Sequence, residues 1–163
     1  MNIVQSELPM KQLYAMIESG FEEGFSSVTI GVTGNSMSPL LRHKRDTVVL
    51  EPCDKYALKR GDLPLYKREN GQFVLHRIAC VEENTYTMVG DAQTELEIGL
   101  PKENVLAIVT GITRKGRFFS AQNKWYRIYV AVWLWLRPVR PVYFALGRLK
   151  RALVRRLRKL TGK

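Results

Sequence analysis

The chain has 163 residues and a formal net charge of +11, a size typical of one domain with an added segment. All 15 acidic residues and 11 of the 26 basic residues lie in residues 1–113, whereas residues 114–163 hold the other 15 basic residues and no acid. The body is therefore mildly acidic, which excludes a uniformly basic nucleic-acid-binding domain, and the basicity belongs to a C-terminal tail.

The cysteines and the first residues disfavour two further classes of protein, those with a cysteine metal site and those with a secretory signal. Cys53 and Cys80 are the only cysteines, and neither has a CxxC partner or a neighbouring histidine. We predict reduced thiols, no metal site and no cofactor. Residues 1–10 lack the basic start and apolar run typical of a secretory signal, so we expect a cytoplasmic location.

The first predicted element is a short amphipathic helix. Residues 8–19 place Met10, Leu13, Met16 and Ile17 at helical spacing after an early proline. We expect Gly20 to end this helix, within an N-terminal unit of residues 1–25.

Residues 27–112 have the texture of a mostly β domain. Short β-branched and aromatic runs cover residues 28–33, 46–50, 63–66, 72–81, 85–89 and 105–112. The turn residues between them come too close together for crossover helices, which favours antiparallel strands, with Glu69-Asn70-Gly71 closing a hairpin. We set this domain at residues 26–116.

Residues 117–163 form the predicted basic, aromatic-rich tail. Residues 128–136 are uniformly apolar but too few to cross a bilayer core, which needs about 20 residues. After Gly147, leucines recur on one helical face and Lys and Arg fill the rest. This pattern predicts a basic amphipathic helix.

One serine and one histidine are the strongest candidates for chemistry. Ser36 follows a glycine turn at the end of a β run, and a serine needs a neighbouring base to become a nucleophile. His43 lies in a charged stretch, whereas His76 lies in an apolar β run, so His76 is the better base. Asp91, after another β run, can orient the imidazole, with Glu97 in reserve.

These residues stand in five boxes whose order resembles the LexA and signal peptidase superfamily of serine peptidases. The boxes are G-N-S-M-S-P-L-L, R-D-T-V-V-L, L-K-R-G-D-L-P-L-Y, V-L-H-R-I and M-V-G-D-A-Q, within residues 28–112. V-L-H-R-I, with histidine where many members use lysine, looks like the endoplasmic-reticulum-type and sporulating-bacterium-type signal peptidases.

The resemblance implies a fold, a set of roles and an activity. The fold is a coiled antiparallel β-sheet domain. Ser36 attacks, His76 carries the proton, and Asp91 or Glu97 assists. Gly34 stands where signal peptidases usually have a second serine, so the resemblance implies that the Ser36 backbone amide and the Gly34 turn hold the oxyanion.

The tail predicts a partner. Trp133 and Trp135, together with Arg151, Arg155 and Arg156, suit a segment that lies in the headgroup layer of an anionic membrane. Two alternatives are a helix packed on the domain and a nucleic-acid contact through phosphates. We favour the membrane because residues 128–136 are more apolar than nucleic-acid binding requires, and the basic excess favours the inner face.

The sequence thus predicts a serine endopeptidase that cleaves a leader or precursor peptide at the cytoplasmic face of a membrane. Because its base must be neutral, activity is expected to rise near pH ~6.5. The alternatives are a non-catalytic peptide-binding or membrane-docking module on the same fold, and a nucleic-acid-associated regulator.

Overall fold

The computed structural model describes residues 3–4 and 10–145, and within them the chain is mostly β, as predicted. The strands are β1 (Ile3–Val4), β2 (Val28–Gly31), β3 (Thr47–Glu51), β4 (Pro64–Lys67), β5 (Phe73–Leu75), β6 (Arg77–Val81), β7 (Thr85–Val89), β8 (Glu97–Pro101), β9 (Val105–Arg114) and β10 (Arg117–Ser120). The helices are α1 (Met10–Glu22) and α2 (Lys124–Trp135), and residues 140–145 are helical too.

Two sheets account for these strands. The described part of the larger sheet has the order β1-β2-β3-β9-β4-β5, with β10 also paired to β9, and the smaller sheet has the order β6-β7-β8. All neighbours are antiparallel except β1 and β2. The predicted hairpin at Glu69-Asn70-Gly71 is present between β4 and β5. For consecutive strands such as β4–β5, β6–β7–β8 and β9–β10, antiparallel pairing follows from the short connections, which leave no room for crossovers.

The predicted strand over residues 72–81 is broken at His76. β5, before the break, pairs with β4 in the larger sheet, whereas β6, after it, pairs with β7 in the smaller sheet. Strands β5 and β6 are both rich in apolar residues because both pack against the protein core. In the sequence they therefore look like one continuous strand. His76 therefore lies at the junction of the two sheets.

Helix α1 runs past Gly20, where the sequence predicted its end. The ring of Phe25 packs so closely on Gly20 that a Cβ there would lie 2.7 Å from it. The helix closes instead through hydrogen bonds from Gly24 N to Phe21 O and from Phe25 N to Gly20 O. These two bonds satisfy carbonyls of the last turn, which is the usual way a helix ends before glycine.

The fold continues across the predicted boundary at residue 116. Strand β10 pairs with β9, and the Asn123 side chain caps α2 by accepting from the amides of Trp125 and Tyr126. On α2, Tyr126, Val130 and Leu134 recur every four residues and are buried in the main core. The boundary drawn from the charge therefore cuts through a unit that packing holds together, because β10 and the inner side of α2 belong to the β domain.

Among residues 3–4 and 10–145, no helix has the length and apolarity needed to cross a membrane. The predicted basic helix after Gly147 lies outside the described residues.

Candidate active site

Ser36 stands on a tight loop that leaves β2. The loop needs glycine at position 34, where φ is +82°, a conformation that costs a side chain energy. Met37 and Leu41 are buried in the main core and anchor the loop. Ser36 itself is only half-buried, so part of this residue remains accessible to solvent.

His76 lines the same cavity as Ser36. This cavity has a volume of about 570 Å³ and lies between the end of β2 and strand β5. The His76 side chain is only 3% exposed, because the junction of the two sheets encloses it. The structure thus brings the two residues of the predicted nucleophile and base pair to one cavity.

A tyrosine and a glutamate follow His76 in a chain of polar contacts. Tyr66 Oη lies 3.3 Å from His76 Nδ1 and donates a 2.7 Å hydrogen bond to Glu97 Oε2. The Glu97 oxygen is also 3.9 Å from His76 Nδ1. A phenol has one proton, and here the carboxylate takes it, so the phenol oxygen accepts from Nδ1–H. That tautomer leaves the Nε2 lone pair of His76 open for a proton.

The protonation states fit this arrangement. Burial, and then the nearby charge of Arg68, lower the pKa of His76 to about 4, although Glu97 opposes the shift. Partial burial disfavours the Glu97 charge, but hydrogen bonds from Arg68 and Tyr66 hold its pKa below its usual range. Burial and the Glu97 carboxylate raise the pKa of Tyr66 well above its usual range. At neutral pH the imidazole is neutral, the carboxylate is charged and the phenol keeps its proton.

Asp91 is engaged elsewhere. Its two carboxylate oxygens accept from Arg77 Nε at 3.0 Å and Arg77 Nη2 at 2.9 Å, and both side chains are fully buried. Burial opposes the charge of Arg77, but the Asp91 carboxylate keeps its pKa above the usual range. Of the two acids that the sequence offered as the third group, Glu97 contacts the His76 ring, whereas Asp91 forms a structural ion pair.

The turn that carries Asp91 still positions Ser36. The amide of Ala92 donates a 2.7 Å hydrogen bond to the Ser36 carbonyl. A Cβ at Gly90 would lie 2.8 Å from that carbonyl oxygen, closer than side chains approach backbone. Gly90 is therefore required because the turn and the Ser36 loop pack backbone to backbone.

The predicted oxyanion donors behave differently from each other. The Gly34 amide donates a 3.1 Å hydrogen bond to His43 Nδ1, so it is not available to a substrate oxygen. Within residues 10–145 no hydrogen bond from the Ser36 amide is found. The Ser36 amide therefore retains the capacity expected of an oxyanion donor, and Gly34 shapes the turn.

Sequence reasoning missed two residues that bind the Glu97 carboxylate. Tyr66 and Arg68 lie at the end of β4 and beyond it, and Arg68 makes two hydrogen bonds to Glu97, at 2.8 and 2.7 Å. Tyr66 lies in a strand whose first three residues are all buried, so its position carries no signal that separates this role from ordinary packing. Gln93, the last residue of the M-V-G-D-A-Q box, also lines the cavity.

The membrane-contact residues predicted in the tail fall into three groups. Trp133 is partly buried and its indole donates to the Asp91 carbonyl at 3.2 Å, so it packs inward rather than facing a membrane. Trp135 is exposed. Arg151, Arg155 and Arg156 lie outside the described residues.

No cluster of three or more His, Cys, Asp or Glu residues suited to a metal ion occurs in the part of the chain that the structure describes. Cys53 and Cys80 are free thiols there. Comparison with known proteins adds no relative, since no family model, no curated protein and no solved structure matches this chain significantly.

Proposed function

We propose that this protein is a serine endopeptidase in which Ser36 is the nucleophile and His76 the general base. The observation that carries the proposal is that both residues line one cavity while Tyr66 and Glu97 fix the His76 ring from its Nδ1 side. The ring nitrogen that remains, Nε2, is the one a nucleophilic serine requires as its proton acceptor.

The chemistry proceeds through an acyl-enzyme. His76 Nε2 takes the Ser36 hydroxyl proton as Oγ attacks the peptide carbonyl, and the Ser36 amide donates to the oxyanion. The imidazolium then gives its proton to the leaving amine, and the C–N bond breaks. A water molecule, deprotonated by His76, attacks the acyl ester and restores the Ser36 hydroxyl. Glu97 stabilises the transient imidazolium through Tyr66.

An extended peptide is the substrate class that suits the cavity. Strand β5 forms an edge of the larger sheet as far as the structure describes it, and Phe73, Val74 and Leu75 of this strand line the cavity. An edge strand offers unpaired backbone groups to an added strand. The stacked rings of Tyr14 and Phe73, 3.9 Å apart between centroids, form an apolar wall.

The proposal is tested with a fluorophosphonate, which phosphonylates activated serines, and intact-mass analysis of the full chain. We expect one adduct, located on Ser36 by peptide mapping. Ser36→Ala abolishes it and His76→Ala slows it by roughly a hundredfold or more. Ser38→Ala, which removes the neighbouring serine of the same loop, serves as the matched control and keeps the adduct.

Two results would reject the enzyme. The first is labelling of a different residue in the wild-type chain. The second is no labelling between pH 5 and pH 9 while the same preparation still binds extended peptides in the cavity, which would leave the non-catalytic peptide-binding module as the function.

A further inference from the structure

A row of large apolar side chains is exposed along one side of α2 and the residues after it. Trp125 and Trp135 are 80% and 76% exposed. From Trp125 to Val142 the row advances in steps of three and four residues, so the α2 members lie on one face. Its members are Trp125, Ile128, Val132, Trp135, Val139, Val142 and Tyr143. We call this row the outer face.

The opposite side of the same segment is fully used by the fold. Tyr126, Val130 and Leu134 enter the main core. Arg140, 1% exposed, donates to the carbonyls of Gly90, Gln93 and Trp133. The segment is thus fixed to the domain without the outer face. An exposed apolar row on a fixed segment, which contributes to the packing only where Tyr143 contacts the Trp133 ring, is typical of an interaction site.

The basic charge of the C-terminal residues distinguishes among the possible partners of the outer face. Residues 114–163 contain no acid, and residues 146–163 alone hold eight Lys and Arg. A second copy would bring another strongly basic segment to the same contact, which repulsion opposes. Nucleic acid supplies phosphates but no hydrocarbon for valine and isoleucine. An anionic bilayer surface supplies both, because its headgroups attract cations and its interface takes up indoles.

We propose that the outer face docks on an anionic lipid bilayer, with Trp125 and Trp135 in the headgroup layer and the helix parallel to the surface. Docking in this way holds the catalytic domain at the membrane, because Trp133 and Arg140 tie the inner side of the segment to the turn that supports Ser36. The sequence predicted that Trp133 contacts the membrane, whereas in this proposal the apolar contact is made by Trp125, Ile128 and Val132.

The test is co-sedimentation of the full chain with vesicles of phosphatidylcholine alone and of equimolar phosphatidylcholine and phosphatidylglycerol. We expect binding to the anionic vesicles, weaker binding as salt rises, and little to the neutral ones. The Trp125→Ala/Trp135→Ala variant binds the anionic vesicles about tenfold more weakly. Tyr56→Ala, which removes an aromatic ring that is 63% exposed on another loop, binds as wild type does.

Several outcomes would overturn this inference. Unchanged vesicle binding by the double variant would mean that basic residues alone make the contact. Absence of vesicle binding together with a dimer in sedimentation velocity, lost in the double variant, would assign the outer face to a second copy. Absence of vesicle binding with tryptophan-dependent binding to duplex DNA or RNA would assign it to nucleic acid. Vesicle binding is measured without turnover. A negative result would therefore reject the membrane contact without bearing on the proposed peptidase activity.

Discussion

The enclosed imidazole of His76 determines how activity should respond to pH. In water a histidine takes up its proton near pH ~6.5, but burial and Arg68 lower the pKa of His76 to about 4. The proposed base is therefore neutral over a wider pH range than the sequence alone indicated. The difference arises because an apolar run reveals burial of its histidine but not how completely two sheets enclose it.

We accordingly expect the rate of Ser36 labelling to rise with pH through a midpoint near 4 and to stay level through neutrality. Deprotonation activates the base, so activity is present above this pKa and is lost as pH falls through it. The measurement is the labelling rate from pH 3.5 to 9, with circular dichroism confirming the fold at each pH. A midpoint near 6.5 would contradict the enclosed state of the ring.

Two matched amide substitutions test which acid, Glu97 or Asp91, assists His76. Glu97→Gln should slow labelling about tenfold or more while the fold is kept, and it should move the acid midpoint lower because Glu97 raises the pKa of His76. Asp91→Asn leaves Arg77 buried without its counter-ion, which should lower the free energy of unfolding by roughly 3 to 5 kcal/mol.

Urea unfolding and labelling kinetics on both variants separate these effects. If Asp91→Asn unfolds at the wild-type urea concentration and loses labelling, while Glu97→Gln labels normally, then Asp91 is the group that assists His76.

Among the elements, the Gly90 turn and the Ser36 loop act as one unit. A methyl group at Gly90 would press on the Ser36 carbonyl oxygen, 2.8 Å away, and on Gln93 Oε1, 2.6 Å away. We expect Gly90→Ala to displace the nucleophile and slow labelling by roughly ten- to a hundredfold. Gly111→Ala is the control, since a Cβ there would press mainly on the exposed Phe118 ring, which can move, and less closely on Val49, at 3.2 Å. Equal labelling in the two variants would mean that the turn does not position Ser36.

Most strands could be predicted from their β-branched and aromatic runs, and the hairpin from Glu69-Asn70-Gly71. The break at His76 could not, because strands of different sheets can both be apolar and only their partners distinguish them. The end of α1 could not be predicted either. A glycine often ends a helix, but here Gly20 lies within the helix because the Phe25 ring packs on it. Strands β8 and β10 lack a pronounced apolar run and take their conformation from their neighbours.

At the scale of the molecule, charge and packing divide the chain at different places. The acids stop before residue 114, yet β10 and α2 complete the β domain and Arg140 reaches its interior. Composition averages over the solvent-facing and the core-facing side of a helix. It therefore cannot show whether α2 belongs to the β domain or to the tail. The candidate site was accessible to sequence reasoning at Ser36 and His76, because a serine and a histidine carry recognisable chemistry. Tyr66 also ends one of the five boxes, but its role depends on its hydrogen bond to Glu97, which lies on a distant strand.

The central claim is that Ser36 and His76 act as one catalytic unit, and a double-mutant cycle tests it most directly. Cleavage of a peptide mixture is measured for the wild type, Ser36→Ala, His76→Ala and the double variant. Residues that act together are strongly non-additive, so we predict that the double variant is no slower than Ser36→Ala. Losses that multiply, with the double variant slower than either single variant by the product of the two effects, would contradict the account.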